Sequence, residues 1–210
     1  MELKHSVSAR RGRPKSEEKR QQISEAAADL FLTEGFERTS MDSIAQAAGV
    51  SKQTVYSHFA NKDELFRSCI ASKVAKYDLT VEPSEYHTLE AGLRAFADGY
   101  LRILSDPRVI RMWRLIMAES VEHGHVAALF YETGPQESLD SLTRFLEHRV
   151  DELDTDDVAQ TARTFYGMVA DHYQSRIMLC IDDGVDEAER LRHVDYTTRL
   201  FLKLFVRSDA

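Results

Sequence analysis

The amino-acid sequence predicts an all-α protein, and three observations support this fold class. Apolar residues recur at the three- and four-residue spacing of amphipathic helices along nearly the whole chain, and not at the two-residue spacing of strands. Only four prolines and nine glycines interrupt the 210 residues. The composition, with 43% hydrophobic and 30% charged residues, is typical of a soluble protein whose helices bury a core of their own.

The first predicted helix begins after Ser16 and ends at Gly35. Ser16 is a good N-cap, and Glu17 and Glu18 lie in the first turn, where the helix dipole favours negative charge. Gly35 suits the left-handed backbone that ends many helices. The apolar stripe of this helix consists of Ile23, Ala27, Leu30 and Phe31.

Three further helices are predicted next, each with its own start signal. Thr39 or Ser40 caps the second helix, and Gly49 provides the turn that follows it. Ser51 caps the third helix. Residues 61–64, Asn-Lys-Asp-Glu, indicate a capping box at the start of the fourth.

Longer helices are predicted in the remaining two thirds of the chain. The stretch DLTVEPSEYHT, residues 78–88, indicates a connector, so we expect a basic arm at 1–16, a first domain at 17–77 and a second at 78–210. The second domain is predicted to contain helices at 88–104, 107–123, 125–132, 136–153, 156–181 and 186–207. Breaks are expected at Asp106-Pro107, at Gly134-Pro135 and at Asp182-Asp183-Gly184.

Charge is distributed unevenly along the chain, whose formal net charge is -8. Residues 1–22 hold seven cations and three anions, and residues 1–76 hold 13 cations and 10 anions. Residues 77–210 hold 14 cations and 25 anions, which gives -11. A basic end is attracted to polyanions and an acidic remainder is repelled by them, so we expect only the N-terminal end to face nucleic acid.

Several classes of protein are disfavoured by what the sequence lacks. Its two cysteines, Cys69 and Cys180, are too few for a disulfide framework and fit a reducing cytoplasm. No run of about 18 apolar residues and no apolar signal segment occurs, so we expect a cytoplasmic protein without a membrane partner. Phosphate-loop, HExxH and nucleophile-elbow motifs are also missing, so we expect no enzyme, no catalytic residue, no metal and no cofactor.

The segment SIAQAAGVSKQTVYSHF predicts a helix-turn-helix within residues 40–59. Its three alanines would let the two short helices approach closely, and Val50, Val55 and Phe59 supply the packed side. The opposite face is polar and consists of Ser51, Lys52, Gln53, Thr54, Tyr56 and His58. A polar face at the start of a short helix is what the major groove of DNA accepts.

Residues 17–77 resemble the DNA-binding domain of the TetR/AcrR family of transcriptional regulators. The resemblance is carried by Gly35-Phe36, Thr39-Ser40-Met41, Ile44-Ala45, Ala48-Gly49-Val50-Ser51, Thr54-Val55-Tyr56, His58-Phe59, Lys62 and Leu65-Phe66. It implies a three-helix head that binds double-stranded DNA, a helical body that binds a small-molecule effector, and a homodimer on a palindromic operator.

The resemblance also assigns roles to single positions of the head. It implies that Ser40, Tyr56, His58 and Lys62 contact the DNA backbone, where contacts set register rather than sequence. The exposed start of the recognition helix would reach base edges through Lys52, Gln53 and Thr54. Ser51, as a capping residue, can also meet a phosphate.

The arm RRGRPK, residues 10–15, has no apolar residue to bury. Its guanidinium groups could enter a narrow, A·T-rich minor groove, and its position directly before the first helix favours DNA contact over a solvated tail. The candidate residues are Arg10, Arg11, Arg13 and Lys15.

The segment 114–135, RLIMAESVEHGHVAALFYETGP, is similar to the C-terminal domain of the AefR-like branch of the family. This similarity implies an internal pocket and a dimer interface made by the last two helices. Pocket candidates are Trp113, Met117, Phe130, Phe165, Tyr166, Met168 and His172. Interface candidates are Leu191, Val194, Leu200, Phe201, Leu204 and Phe205. We expect a repressor that the effector releases by changing the separation of the two heads.

Other functions remain open from the sequence. The protein could activate rather than repress transcription, or could be an architectural protein that binds DNA without specificity. A further alternative is a helical enzyme that binds a metal or a small molecule. Glu122 and His125 form one E-x-x-H pair, but a di-iron bundle needs two such pairs and further carboxylates. His123 and His125 with an acidic neighbour could sense a metal, and the two cysteines could sense oxidation.

Overall fold

The computed structural model describes residues 15–207, and this part of the chain is helical apart from its loops and one isolated bridge between Leu153 and Val206. The helices are α1 (Lys15–Glu34), α2 (Met41–Ala47), α3 (Lys52–His58), α4 (Lys62–Lys76), α5 (Leu89–Ile103), α6 (Pro107–Glu119), α7 (Gly124–Tyr131), α8 (Glu137–Glu147), α9 (Val158–Met178) and α10 (Glu187–Phe205). The predicted all-α fold is confirmed. Arg10, Arg11 and Arg13 of the predicted arm lie outside the described residues.

Helix α1 begins two residues earlier than predicted, at Lys15 and not at Glu17. Lys15 is already helical, so Ser16 lies inside the first turn and the predicted N-cap at Ser16 is wrong. The end of the helix is as predicted: Gly35 adopts φ +84°, and its N–H donates to the Phe31 carbonyl at 3.2 Å. Ile23, Ala27 and Phe31 are fully buried.

The next three helices begin at the predicted capping residues. The Ser40 hydroxyl accepts from the Ser43 N–H at 3.0 Å, and the Ser51 hydroxyl accepts from the Thr54 N–H at 3.1 Å. Asn61 accepts from the Glu64 N–H at 2.8 Å. These short-range hydrogen bonds satisfy N–H groups that have no partner within the helix. Because each bond joins residues three positions apart, the capping residues could be predicted from the sequence.

The predicted break at Gly134-Pro135 is wrong, because the chain stays helical there. A π-helical turn, Glu132–Gln136, joins α7 directly to α8. Pro135 has no N–H to donate, and a turn with the wider π spacing accommodates it without ending the helix. At the other end, α8 ends at Glu147 and not near residue 153, where a short 3₁₀ turn, Val150–Glu152, follows it.

Two apolar clusters form the interior. One contains Phe31, Phe36 and Phe66 from the head, whose rings lie 5.2–5.5 Å apart, and extends to Ile116 of α6 and Phe130 of α7. The other lies among α5, α8, α9 and α10. Because α6 and α7 complete the core of the head, the head and the body are packed as one continuous structure.

Helix α4 connects the head to the body through polar side-chain contacts along its length. Near its start, Asp63 contacts His125 of α7 at 2.7 Å. In its middle, Arg67 pairs with Glu132 of the π turn at 3.1 Å. Toward its end, Lys73 pairs with Asp106, the N-cap of α6, at 2.8 Å.

None of the helices described between residues 15 and 207 is long and apolar enough to cross a membrane.

Candidate nucleic-acid interface and ligand cavity

Helix α3 presents its first turn to solvent at the surface of the head. Ser51, Lys52 and Gln53 are exposed, Thr54 is half-buried, and Val55 is fully buried against the head core. Tyr56, one turn on, has 47% of its surface exposed. The structure therefore brings the predicted base-reading residues together on one open face.

Lys52 is held toward α2 by an acidic neighbour. Its ammonium lies 2.7 Å from the Asp42 carboxylate, and both side chains are well exposed. The hydrogen bond to Asp42 raises the pKa of Lys52 above its ordinary value. The Lys52 ammonium also lies 6.0 Å from the centre of the Tyr56 ring. Lys52 is therefore charged, and it can exchange Asp42 for a phosphate or a base edge.

Two polar side chains of α1 hold α3 in place, and the sequence reasoning missed both. Arg20 donates to the His58 carbonyl at 2.8 Å, and its guanidinium lies 4.2 Å from the centre of the Phe59 ring. Gln22 donates to the Ala48 carbonyl at 2.8 Å, next to the turn between α2 and α3. Arg20 could have been found from its spacing, because it lies three residues before buried Ile23 on the same helix face.

The Lys62 ammonium already has contacts within the head. Its ammonium donates to the Phe36 carbonyl at 2.7 Å and lies 4.2 Å from the centre of the Phe36 ring. This contact ties the start of α4 to the turn between α1 and α2. The role of Lys62 as a DNA contact stays a prediction, as do those of Ser40, which is exposed, and His58, which is half-buried.

An apolar cavity of about 80 Å³ lies between α4, α5, α6 and α7, and residues of α1 and α9 complete its wall. Three of the predicted pocket residues line it: Trp113, Phe130 and Tyr166. The Trp113 and Phe130 rings meet edge to face, with centres 5.2 Å apart. The structure therefore places these three side chains together, and their role in ligand binding stays a prediction.

The other four predicted pocket residues do not line this cavity. Met117 has 54% of its surface exposed, and His172 is also exposed. Phe165 is fully buried in the body core, with its ring 5.0 Å from that of Phe201. Met168 is half-buried on α9. Helical spacing identified these as apolar or aromatic positions, but it does not distinguish a cavity wall from a packed core or an outer face.

The inner wall of the cavity carries two buried phenols. The Tyr166 hydroxyl donates to the Tyr100 hydroxyl at 3.0 Å, and Tyr100 donates to the Gln174 side-chain oxygen at 2.9 Å. Burial raises the pKa of Tyr166 to about 12 and raises that of Tyr100 as well. Both phenols are therefore neutral near pH 7. Sequence reasoning missed Tyr100, which shares a helix face with fully buried Phe96.

Asp106 lies behind the cavity wall and holds Lys73, which lines the cavity. Its carboxylate accepts hydrogen bonds from Lys73 at 2.8 Å, from the Tyr77 hydroxyl at 2.9 Å and from the Arg108 N–H at 2.8 Å. Burial by itself raises the pKa of this carboxyl, but these bonds outweigh burial and lower it to about 2. Asp106 thus joins the end of α4 to the start of α6.

The predicted interface helices have two apolar faces, and the sequence did not separate them. Val194 and Phe201 are buried inside the body, so their prediction as interface residues is wrong. Leu191 and Leu204 are 52% and 54% exposed, while Leu200 and Phe205 are half-buried. Tyr196, which was not predicted, is 59% exposed. Leu204 and Tyr196 therefore lie on the outer face of α10.

The predicted metal-sensing alternative finds no geometric support in the described chain. Residues 15–207 contain no group of three or more histidine, cysteine or carboxylate side chains that could hold a metal ion. The acidic neighbour of His125 is Asp63, with which it forms a pair between two helices.

Two family models match the chain. The model described as "Bacterial regulatory proteins, tetR family" matches residues 23–69, and that described as "AefR-like transcriptional repressor, C-terminal domain" matches residues 91–206. Together they cover the head and nearly all of the body.

Individual relatives agree with these matches. The regulator SrpR of Pseudomonas putida is 36% identical over 75 residues, which are 36% of this chain and 35% of SrpR. The transcriptional activator FasR of Mycolicibacterium smegmatis is 34% identical over 88 residues, which are 39% of this chain and 40% of FasR. The chain thus spans little more than a third of the length of these curated relatives.

A solved structure extends the similarity over the whole fold. The flavonoid-responsive regulator FrrA is 32% identical, with a TM-score of 0.69 over 91% of this chain and 99% of FrrA.

Proposed function

Because the chain belongs to the TetR/AcrR family of DNA-binding transcriptional regulators, with an AefR-like C-terminal domain, we propose that it is a ligand-responsive repressor. It binds a palindromic operator as a homodimer in the cytoplasm, and a small molecule releases it. The observation that carries this proposal is α3, a capped helix whose open face presents Lys52, Gln53 and Tyr56.

The geometry of the head supports sequence-specific binding. Lys and Gln can each make paired contacts with base edges in the major groove, Lys to guanine and Gln to adenine. Arg20 and Gln22 brace α3 and its turn, so the reading face is held rigidly on α1. A rigid reading face loses little conformational entropy when it binds.

The outer face of α10 supports the homodimer. Tyr196 and Leu204, both on this face, each expose more than half of their surface. Exposed apolar surface of this kind marks an interaction site. A twofold dimer places two recognition helices about 34 to 36 Å apart, which corresponds to one turn of DNA.

The cavity supports response to a small molecule. It is apolar and surrounded by α4, α5, α6 and α7, and α4 is the helix that joins the head to the body. FrrA, of similar fold, is described as flavonoid-responsive. A molecule that favours one position of α4 over another changes the separation of the heads in a dimer.

Repression and activation of transcription are the two candidate modes of regulation. The family model for the body describes a transcriptional repressor, which favours repression, whereas the relative FasR is an activator. Deleting the gene raises transcription of its targets if the protein represses them and lowers it if the protein activates them.

The DNA-binding proposal is tested by fluorescence anisotropy with the full chain. The probes are a palindromic fragment recovered from genome-wide mapping of bound DNA and a scrambled fragment of the same length and composition. We expect the palindrome to bind about 10³-fold or more tightly at physiological salt. Equal affinity for the two fragments would contradict a specific regulator and would favour a nonspecific DNA-binding protein.

A further inference from the structure

A polar groove runs over the surface between α1, α4 and the start of α6, directly outside the apolar cavity. Its volume is about 590 Å³. Four residues line both the groove and the cavity: Ala28, Cys69, Lys73 and Arg108. These side chains therefore lie between the groove and the cavity.

The cavity must widen at some wall to hold a drug-sized organic molecule. Its volume of about 80 Å³ lies well below the roughly 300 Å³ at which drug-sized sites begin. Aromatic walls such as Trp113 and Phe130 are packed into the core of the head, so moving them disrupts that core. Lys73 and Arg108 are long, flexible side chains, and moving them exposes no buried ring.

Of the two cations, Arg108 is the more easily moved. It pairs with Asp29 of α1, and the two side chains are 48% and 64% exposed. Exposed ion pairs contribute little to stability. Lys73 instead pairs with Asp106, whose side chain is only 8% exposed and which also holds Tyr77.

The charge of the cavity wall selects for an acid. The described lining of the cavity contains two cations, Lys73 and Arg108, and no carboxylate. Cys69 adds no negative charge, because burial raises the pKa of its thiol to about 12. Most of the remaining wall is aliphatic or aromatic, with the Tyr100 and Tyr166 phenols at its inner end.

We propose that the effector is an apolar molecule carrying one carboxylate, that it reaches the cavity through this groove, and that its carboxylate replaces Asp29 as the partner of Arg108. The apolar part then occupies the cavity between Trp113 and Tyr166. This exchange of partners costs little free energy, because most of the Asp29 side chain is already exposed to water. This inference rests on the proposed response to a small molecule.

The loss of the Arg108–Asp29 ion pair affects the DNA-binding helix α3 through α1. When Arg108 leaves Asp29, α1 loses its ion pair with α6. The same helix α1 carries Arg20 and Gln22, which hold α3 and its turn. Binding in the body therefore acts directly on the helix that positions the reading face.

The test is calorimetric titration of the full chain with two matched pairs of probes. Each pair joins an acid to its neutral alcohol: decanoate with decanol, and naphthoate with naphthylmethanol. We expect at least one acid to bind wild-type protein about tenfold more tightly than its alcohol, as a charge-assisted hydrogen bond implies. Decanoate tests an aliphatic acid and naphthoate tests an aromatic acid. Binding of either acid in this way supports the proposal.

Two substitutions should shift the affinity for the acid in opposite directions. Arg108→Gln should weaken acid binding about tenfold and change alcohol binding less than about twofold. Asp29→Asn should tighten acid binding about two- to fivefold, because it removes the competing carboxylate while keeping Arg108. The controls are Arg111→Gln on α6 and Glu34→Gln on α1, which lie outside both cavity and groove and should leave acid affinity unchanged.

Three results would overturn the proposal: no binding of either acid to wild-type protein, equal loss of acid and alcohol binding in Arg108→Gln, or weaker acid binding in Asp29→Asn. Operator binding is measured on the same preparations. Specific operator binding by a protein that ignores both acids refutes this ligand class alone, whereas loss of specific operator binding refutes the proposed function.

Discussion

At the scale of single residues, charged side chains near the reading face are already paired. Lys52 donates to Asp42, and Lys62 donates to backbone carbonyls of the turn after α1. Sequence position identified both as cations of a DNA-binding head, but it did not reveal these partners, because Asp42 is ten residues from Lys52 and Phe36 is 26 residues from Lys62.

The Lys52–Asp42 pair leads to a prediction about DNA affinity. Asp42→Asn removes a negative charge from the DNA-facing side and frees the Lys52 ammonium, so DNA binding should tighten for all sequences. The slope of log affinity against log salt should steepen by up to about one unit, since one more phosphate contact becomes available. Anisotropy at several salt concentrations measures both effects. Asp151→Asn, far from the head in sequence and in the 3₁₀ turn, is the control and should change neither.

Asp106 leads to a prediction about acid stability. Its folded-state pKa of about 2 lies below the ordinary value of 3.8, so the group stabilises the fold when it is ionised. This contribution is complete above about pH 5 and is lost as the pH falls from about 4 to about 2. Asp106→Asn should lower the free energy of unfolding at pH 7 by about 2 kcal/mol.

The difference between wild-type and Asp106→Asn protein should shrink as the pH falls below 4, because the carboxyl of the unfolded wild-type chain, with its ordinary pKa of 3.8, then binds a proton and the unfolded state is stabilised. Urea unfolding followed by circular dichroism at pH 7 and at pH 3 measures this. A difference that stays constant over that range would mean that Asp106 acts through packing and not through its charge.

At the scale of helices, local signals determined where elements begin, and packing determined how closely they approach. The caps at Ser40, Ser51 and Asn61 each use a bond within three residues, and they were predictable for that reason. The π turn at Pro135 was not predictable, because the same Gly-Pro sequence ends many helices. Only the continuous packing of α7 and α8 keeps the chain helical there.

Gly99 of α5 leads to a prediction about helix packing. A Cβ at this position would lie 2.1 Å from the carbonyl oxygen of Tyr77. The backbone of α5 therefore lies directly against the backbone at the end of α4. Gly99→Ala should lower the free energy of unfolding by about 1 to 3 kcal/mol, because the backbone must shift.

Gly124→Ala is the matched control for Gly99→Ala. A Cβ at Gly124 meets nothing within 4 Å, so its effect should stay within about 0.5 kcal/mol. Urea denaturation of both variants measures the difference. Equal stability of the two variants would show that the contact between Gly99 and Tyr77 is not close in solution.

At the scale of the whole molecule, the head is continuous with the body. α6 and α7 complete the apolar core of the head, and α4 makes polar contacts with the body near its start, middle and end. A rigid connection of this kind transmits a displacement in the body to α3. The charge division expected from the sequence, with a basic N-terminal end and an acidic remainder, then orients only the heads toward DNA.

The outer face of α10 leads to a prediction about assembly. Leu204→Glu places a charge on that face without touching the body core, so it should convert a homodimer to a monomer while circular dichroism stays unchanged. Val121→Glu, at a side chain that is 95% exposed between α6 and α7, is the control and should leave the dimer intact.

Sedimentation velocity measures the outcome at micromolar concentration. A dimer that persists in Leu204→Glu would place the interface elsewhere. A wild-type protein that is monomeric would contradict the homodimer itself.

The sequence by itself determined the all-α class, the helix-turn-helix and its polar face, the family resemblance and most of the helix starts. All of these depend on residues within a few positions of one another, such as a capping side chain and its N–H group, or apolar residues one turn apart. Only the tertiary structure decided which apolar face of α10 is buried, which aromatic side chains border the cavity and which cation pairs with Asp29. Those outcomes depend on helices that are distant in sequence, and helical spacing looks the same for a core, a cavity wall and an outer face.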